Sequence, residues 1–267
     1  MATLRGDDTK VLALKTFRTA LLALAMLTVL PVCVPAQTDE IQVYDAEINK
    51  PGEFNLVWYN NYTPIGRNEP DFPGGVIPNH SLIGVPEWAV GITDWLETGL
   101  YLPLYSITSG ERFLFNGGKV RALFVVPDAR KRNFIYGINF ELSYNFPHWE
   151  TTRFSGEIRP IIGTHLGKID IILNPIFDTS FNGLHKVEVV PAARVAYNFS
   201  EKWAAALEHY SDFGTVSHFV RMDEQQQLSF IVGDFNEEPN SIEFGVGHGW
   251  TDSSDDLIIK VMLMHKF

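Results

Sequence analysis

Residues 134–146 read FIYGINFELSYNF, and their pattern is the clearest indication of the fold. Every second residue from Phe134 to Phe146 is large and apolar, and the residues between them are mostly polar or small. A period of two is that of an extended β-strand, in which successive side chains point to opposite faces. Aromatic residues stand near both ends of the apolar face, as in strands that cross an outer membrane. The stretch predicts a membrane-spanning strand with lipid on one face and water on the other, and a strand of a soluble β-sandwich is the alternative.

The rest of the chain repeats this alternation in twelve segments, an even number, as single-chain bacterial barrels have. The segments are residues 53–61, 82–93, 96–107, 119–126, 134–146, 154–166, 169–178, 186–198, 203–213, 226–234, 241–251 and 257–267. A sheet of this size needs closure to hide its edges. We therefore predict an all-β fold, a transmembrane antiparallel up-and-down β-barrel of about twelve strands. Short links alternate with long ones, which predicts short turns in the periplasm and long loops outside the cell.

The first 36 residues predict a signal peptide. Four basic residues precede an apolar run that is too short for a comfortable span, and Val34-Pro35-Ala36 forms a small-residue exit with cleavage expected after Ala36. Cys33, the only cysteine, lies in the part to be removed, which excludes disulfides and thiolate metal sites from the mature chain. The predicted domains are a signal peptide at 1–36, an N-terminal lead-in at 37–52 and the barrel at 53–267. The lead-in is expected either to lie in the periplasm or to tuck into the barrel mouth.

Charge and the C-terminus narrow the choice of partners. The net charge of the chain is −11, and removal of the four basic and two acidic residues before position 37 makes it −13. Nucleic acid is therefore disfavoured, because phosphate binding needs clustered Lys and Arg. The terminal strand LIIKVMLMHKF ends on Phe267 and looks like the strand that the bacterial barrel-assembly machinery recognises. We expect a protein of the outer membrane of a Gram-negative bacterium, with membrane lipid, that machinery and small-molecule solutes as partners.

Three stretches carry a resemblance to a known group: EFNLVWYNNYTPIGR (53–67), FPGGVIPNHSLIGVPEWAVGITDWLETGLYLPLYS (72–106) and YNFSEKWAAALEHYSDFG (197–214). They resemble the uncharacterised bacterial outer-membrane proteins grouped with the putative transporters of the meta-pathway of phenol degradation. The resemblance covers about half of the chain and names no catalytic residues. It implies a barrel that passes small, in some cases aromatic, solutes.

Charged residues inside the segments mark the inner face, because Arg or Lys facing lipid at mid-depth costs about 2–4 kcal/mol. The predicted lumen-lining residues are Glu87, Glu97, Lys119, Arg121, Glu141, Glu157, Arg159, Asp170, Lys186, Glu188, Arg194, Glu208, Glu243 and Lys260. One interpretation is a polar pore that selects solutes by size and sign. The other is a lumen closed by ion pairs, such as Arg159 with Glu141 or Glu157.

The predicted function is passive passage of small solutes through an outer-membrane channel without a cofactor or metal. The histidines show no metal-ligand spacing. Two alternatives stay open, a plugged structural barrel and a lipid-modifying acyl hydrolase. In the hydrolase, His209 would activate Ser211 on the lipid side of the ninth segment, with Asp223 or Glu224 orienting the imidazole.

Overall fold

The computed structural model describes residues 40–267, which form sixteen strands and two short 3-10 helices. The strands are β1 (Phe54–Ile65), β2 (Leu82–Gly91), β3 (Leu96–Ile107), β4 (Phe113–Val125), β5 (Phe134–Asn145), β6 (Phe154–Leu166), β7 (Ile169–Asn174), β8 (Phe177–Thr179), β9 (Glu188–Val189), β10 (Ala192–Asn198), β11 (Trp203–Ser211), β12 (Gly214–Thr215), β13 (His218–Phe219), β14 (Gln227–Glu237), β15 (Asn240–Gly249) and β16 (Leu257–Lys266). The 3-10 helices span Ala129–Lys131 and Leu184–Lys186. None of the described helices has the length and apolar character needed to cross a membrane.

Twelve of the strands close into a barrel. Strands β1 to β7 pair in sequence, β7 pairs with β10, and the order continues through β11, β14, β15 and β16. Strand β16 then pairs with β1, and every pairing in this ring is antiparallel. The four remaining strands are short and extend the sheet from β6 beyond the ring, through β8, β9, β12 and β13. The predicted twelve-stranded antiparallel barrel is confirmed.

Two prolines explain where the predicted strand bounds were wrong. The segment predicted at 169–178 is a barrel strand only to Asn174, and the one predicted at 186–198 joins the barrel only from Ala192. Pro175 and Pro191 stand next to these two positions, and proline supplies no N–H for a sheet ladder. Residues 175–191 therefore form an outer connection.

Strand β4 begins earlier than the predicted 119, at Phe113. Gly117 and Gly118 suggested a loop in the sequence, but they lie within the strand. Gly117 takes a φ of 142°, and a side chain there would overlap the carbonyl of Tyr144 on β5. The glycine thus allows an irregularity in the ladder at which β3 and β4 change register.

The outer surface of the barrel is an apolar belt. Along β5, Phe134, Tyr136, Phe140, Leu142 and Tyr144 are exposed, whereas the odd-numbered positions are buried or half-buried. Exposed aromatic side chains stand near both ends of the belt, Trp95, Phe199 and Trp203 at one end and Phe113, Phe154 and Trp250 at the other. This is the construction of a barrel whose outer face meets lipid and whose ends meet the two membrane interfaces.

The two ends of the barrel differ in their connections. The turns at one end are mostly short and comprise residues 92–95, 126–133, 167–168, 199–202 and 238–239. The connections at the other end are mostly longer and comprise residues 66–81, 108–112, 146–153, 175–191, 212–226 and 250–256. Outer-membrane barrels place short turns in the periplasm. We call the first the periplasmic end and the second the outer end. Phe267 lies at the periplasmic end, where its N–H donates to the carbonyl of Phe54.

Residues 40–50 lie inside the barrel. Ile41, Val43, Tyr44 and Ala46 are 6%, 4%, 5% and 2% exposed and pack among inward-facing side chains of the wall. Gly52 then donates its N–H to Gly91 at the periplasmic end of β2, after which β1 begins. Of the two expectations for residues 37–52, the described part follows the one in which the segment enters the barrel. The predicted signal peptide, residues 1–36, lies outside the described residues.

Candidate functional site: the barrel lumen

The first charged cluster of the lumen lies on strands β2 to β5. Arg121 on β4 donates to Glu87 on β2, and its Nη2 donates to Glu97 on β3 at 2.6 Å. Lys119 is the next inward residue of β4, and its Nζ lies 3.1 Å from Glu141 on β5. All five side chains are buried. Their burial is tolerated because each charge has an opposite partner.

Arg159 on β6 extends this cluster around the wall. It donates Nε and Nη2 to the two oxygens of Glu157 at 2.7 and 2.8 Å, a bidentate pair. Glu141, the other partner suggested by the sequence, pairs with Lys119 instead.

The second charged cluster lies on the opposite wall, on β10, β11 and β14 to β16. Arg194 contacts Glu208, Asp234 and Glu243, and Lys260 lies 2.6 Å from both Glu208 and Glu243. Two cationic side chains thus form ion pairs with three carboxylates. Gly245 on β15 makes this packing possible, because an added Cβ would lie 2.8 Å from Cε of Lys260.

The N-terminal segment, residues 40–50, joins the two clusters. The carboxylate of Glu40 lies 3.4 Å from Arg159 and 3.8 Å from Lys119, on the side of the first cluster. Lys260 of the second cluster donates to the carbonyl of Ile41 at 3.1 Å. The segment therefore occupies the middle of the lumen and binds to both walls.

Tyr44 fixes the position of this segment. Its N–H donates to Oδ1 of Asn174 at 2.7 Å, and Nδ2 of Asn174 donates back to its carbonyl at 3.0 Å. Its hydroxyl lies 2.7 Å from that of Tyr101, and its ring lies 4.4 Å from the guanidinium carbon of Arg159. The backbone and the side chain are both held, so the segment has a defined height in the barrel.

Two cavities lie at opposite ends of the lumen. The periplasmic cavity has a volume of about 210 Å³ and is bounded by residues 42–49, β1, β15 and β16, with Arg121 and Arg194 in its wall. The outer cavity has a volume of about 190 Å³ and is lined by Lys119, Glu141, Glu157, Asp178 and Glu188 together with loop residues 149–152. Residues of the mid-barrel layer, such as Lys119 and Arg121, thus face one cavity or the other.

Three of the residues predicted to line the lumen lie at its edges or outside it. Lys186 is wrong as a lumen residue, because it ends an exposed 3-10 helix in the outer connection. Glu188 is half-buried in the short β9 beside the outer cavity. Asp170 lies next to the periplasmic turn 167–168, 2.5 Å from Nδ1 of His165 and 2.7 Å from Nδ2 of Asn198. Phe267 packs against Phe54 with 5.5 Å between ring centroids and the rings tilted by 38°, and its role in assembly stays a prediction.

Sequence reasoning missed several members of the site. Tyr101 shares the inward face of β3 with Glu97, which the alternation does assign, so continued counting by two would have found it. Asp234 lies on the inward face of β14 with the buried Phe230, neither of which was assigned from the sequence. Glu40 and Tyr44 carry no such signal, because a segment that is not in the sheet has no period.

His209 and Ser211 do belong to one hydrogen-bonded group on the outer face near the outer end. Nε2 of His209 lies 3.1 Å from Oγ of Ser211 and 2.9 Å from Oε1 of Gln227, and Ser211 donates to the same Oε1 at 2.8 Å. Nε2 of Gln227 donates to Gln225, which fixes the amide orientation. An amide oxygen only accepts, so Nε2 of His209 carries the hydrogen and is not free to take the Ser211 proton.

The rest of that group also disfavours the hydrolase. Nδ1 of His209 lies 2.9 Å from Oγ of Ser229, which accepts a hydrogen bond from Trp250, so a hydroxyl rather than a carboxylate orients the ring. Asp223, expected as the orienting acid, pairs with Arg221 at 3.1 Å.

Comparison with known proteins establishes the fold. No family model matches the chain, and no curated protein matches its sequence. An outer-membrane channel from Pseudomonas putida F1 superposes with a TM-score of 0.59 at 13% identity, covering 85% of this chain and 100% of that one. The NanC porin matches with a TM-score of 0.54 at 6% identity over 79% of this chain and 100% of its own. The KdgM porin, solved in complex with disordered oligogalacturonate, matches with a TM-score of 0.52 at 10% identity over 80% of this chain and 99% of its own.

At these identities the likeness concerns the fold alone. The chain has the fold of outer-membrane barrels, and the resemblance to the meta-pathway group in particular is not confirmed. Together with the apolar belt, this fold places the chain in the outer membrane of a Gram-negative bacterium.

Proposed function

We propose that the barrel is a channel for passive passage of small solutes across the outer membrane, and that its N-terminal segment closes it. The observation that carries the proposal is a charged lumen with a cavity at each end, separated by residues 40–44 and the side chains that hold them. A barrel that serves only as a scaffold needs no such cavities. The three structural neighbours, described as a channel and two porins, support the same function.

The closing segment is suited to movement. Its polar contacts with the wall are hydrogen bonds and ion pairs to groups that lumen water can also satisfy. Its apolar contacts are made by small or medium-sized side chains, Ile41, Val43 and Ala46, besides the ring of Tyr44. None of residues 40–50 pairs with a barrel strand. The first bridge to the wall is the one between Pro51 and Gly91, just after the segment. Withdrawal of residues 40–49 toward the periplasm would join the two cavities into one path.

The resemblance in residues 53–106 and 197–214 extends the proposal to small aromatic compounds among the permeant solutes. A lipid hydrolase is not favoured, because the hydrogen bonds put the hydrogen of His209 on Nε2, the nitrogen that faces Ser211, and so this nitrogen cannot accept the hydroxyl proton.

Planar-bilayer recording tests the channel and its closure. The mature protein is expected to give a small or intermittently closed conductance, and a variant that lacks residues 37–49 a conductance several-fold larger. A second variant, with 40–49 replaced by Gly and Ser at equal length, separates occupancy of the lumen from the specific contacts. Heat-modifiable migration on gels shows that each barrel is folded. A seal at all voltages in both the mature protein and the shortened variant would refute the proposed function.

A further inference from the structure

Five buried polar atoms of residues that line the periplasmic cavity have no hydrogen-bond partner among residues 40–267. Two are carboxylate oxygens of Asp234 and Glu243, whose charges are opposed by Arg194 and Lys260 in the second charged cluster. The other three are Nδ2 of Asn49, Oδ1 of Asn55 and Nη1 of Arg121. The three residues are 3%, 7% and 8% exposed. Leaving a buried polar group without a hydrogen bond destabilises the folded protein. Several such atoms around one cavity indicate a site that is built to receive a ligand.

The first two donors are held side by side by one carboxylate. The backbone N–H of Asn49 donates to Oε2 of Glu97 at 2.7 Å, and Nη2 of Arg121 donates to Oε1 of the same residue at 2.6 Å. Glu97 therefore orients both residues, while Nδ2 of Asn49 and Nη1 of Arg121 stay available to a third molecule.

Asn55 approaches the same place from the neighbouring strand. It pairs with Ala89 across the β1–β2 ladder, and Gly91 is the next inward residue of β2. An added Cβ on Gly91 would overlap the carbonyl oxygen of Asn49. Asn49 and Asn55 thus flank one short stretch of β2.

The charges around this group favour a neutral ligand. The guanidinium of Arg121 is already opposed by Glu87 and Glu97, so an anion brought to Nη1 would meet two carboxylates. A cation would meet the two donor atoms and the positive charge of Arg121. A hydroxyl group both donates and accepts, and so matches Nδ2 of Asn49 and Oδ1 of Asn55 together.

The remaining wall and the volume set the size. Val57, Leu123, Met262 and Met264 supply an apolar side to the cavity. Its volume of about 210 Å³ is below the 300–1,000 Å³ that is typical of sites for drug-sized ligands. We propose that the periplasmic cavity binds a neutral polyhydroxylated solute about the size of one sugar ring, with Asn49, Asn55 and Arg121 as its binding residues. This gives the proposed channel a solute class and in that sense rests on the proposed function, although binding itself requires no conduction.

Saturation-transfer NMR with D-glucose as the probe tests the site on the mature protein in detergent. The wild type is expected to transfer saturation to glucose. Asn49→Ala and Asn55→Ala each remove one unpartnered group without breaking an ion pair, and each is expected to weaken binding about tenfold, as loss of one hydrogen bond does. Asn145→Ala is the matched control, because Asn145 lines the outer cavity instead, and it is expected to bind glucose like the wild type.

Glucuronate and glucosamine, which keep the ring and add one charge, are expected to bind at least tenfold more weakly than glucose. No transfer to glucose, equal transfer in the wild type and both Asn variants, or equal binding of a charged ring would each overturn the assignment. A barrel that binds glucose but seals a bilayer would refute the channel and keep the site. A conducting barrel without glucose binding would do the reverse.

Discussion

Tyr44 holds residues 40–50 in the lumen through both its backbone and its side chain. Its two backbone groups bind one side-chain amide, that of Asn174, so a shift of the segment by one residue would break both hydrogen bonds at once. Its ring covers the guanidinium of Arg159, and its hydroxyl reaches Tyr101 on another strand. Because these contacts point in several directions, the segment is held against both sliding and rotation.

Tyr44→Ala is expected to open the channel. The variant loses the hydroxyl contact and the cation–π contact, together about 2 kcal/mol, and each 1.4 kcal/mol changes an equilibrium tenfold. The open fraction in single-channel recordings should therefore rise by at least about tenfold. Tyr62→Ala is the control, because Tyr62 is exposed on the outer face. Equal open fractions for wild type and Tyr44→Ala would show that the segment is held by something other than Tyr44.

Asp212 gives the outer connection a pH dependence. It is buried just beyond β11, accepts a hydrogen bond from Gly214 at 2.8 Å, and has Asp71 nearby. Burial, opposed by that hydrogen bond, raises the pKa of Asp212 from 3.8 to about 6. Between pH 4 and 6 the folded connection therefore binds more protons than the open one, and its stability falls as pH rises through that window.

Hydrogen exchange in residues 212–226 measures this effect. Protection is expected to decrease from pH 4 to pH 6, after correction for the intrinsic exchange rate. Asp212→Asn keeps an acceptor and removes this titration, so the decrease within that window should be much smaller. Glu188, which pairs with Thr215 and has a pKa raised by burial to about 8, titrates above the window. Corrected protection in the wild type that rises between pH 4 and 6 would contradict the sign of the shift.

At the scale of single elements, alternation in the sequence predicted the faces of the long strands well, because charged side chains mark the inward face and the outward face is apolar, although the inward face also carries buried apolar residues such as Leu123 and Phe230. It failed where the backbone leaves the ladder, as at Pro175 and Pro191, since periodicity counts residues and does not see a missing N–H. Alternation also gave no position for residues 40–50, because none of them pairs with a strand. The first bridge to the sheet is made by Pro51, after the segment. The charged wall of the lumen was predictable, whereas the segment that fills it was not.

Strand β15 shows why some inward positions must be glycine. An added Cβ on Gly247 would overlap the ring of Phe230 on β14, a residue that is 1% exposed. Gly247→Ala is therefore expected to lower the free energy of unfolding by about 1–3 kcal/mol, the usual cost of overpacking. Gly233→Ala is the matched control, because a Cβ there meets nothing within 4 Å. Urea titration of the refolded barrel in detergent measures both, and equal midpoints would mean that Phe230 moves aside without cost.

At the scale of the whole molecule, the charged residues of the lumen fall into two groups, those that hold the barrel together through ion pairs and those that do not. The arginines of the two clusters are buried among carboxylates, and reversal of Arg194 would bring together four acidic side chains, the new one with Glu208, Asp234 and Glu243. Breaking such a buried pair typically costs 3–5 kcal/mol. Charge reversal of these arginines is therefore expected to destabilise the folded barrel, so it does not isolate their effect on ion selectivity.

The outer cavity offers carboxylates that lack this structural role. Register places Glu141, Glu157, Asp178 and Glu188 side by side on β5, β6, β8 and β9. Lys119 offsets the first and Arg159 the second, whereas Asp178 and Glu188 form no ion pair with any residue from 40 to 267. Burial and the neighbouring carboxylates raise the pKa of both groups, that of Glu188 to about 8, so the outer entrance carries its full excess of negative charge only in alkaline solution. Under those conditions an open barrel is expected to prefer cations.

Neutralising these two positions should reduce that preference without unfolding the barrel, because it removes like-charge repulsion and breaks no pair. A carboxylate near a passing cation contributes about 1 kcal/mol in a water-like dielectric, so Asp178→Asn with Glu188→Gln should lower the K⁺ to Cl⁻ permeability ratio roughly fivefold at low salt. The reversal potential across a KCl gradient measures the ratio, at a pH above the raised pKa of Glu188, about 8, and in the variant lacking residues 37–49 so that the path is open. Asp223→Asn with Glu224→Gln removes the same charge from the connection 212–226 and should leave the ratio unchanged, since Asp223 is exposed and paired with Arg221.

The effect of Asp178→Asn with Glu188→Gln should also shrink as salt is raised, because exposed charges are screened over about 10 Å at 0.1 M. A ratio that falls equally in both double variants would assign the preference to the net charge of the outer surface, and one that falls in neither would place the permeation path away from the outer cavity.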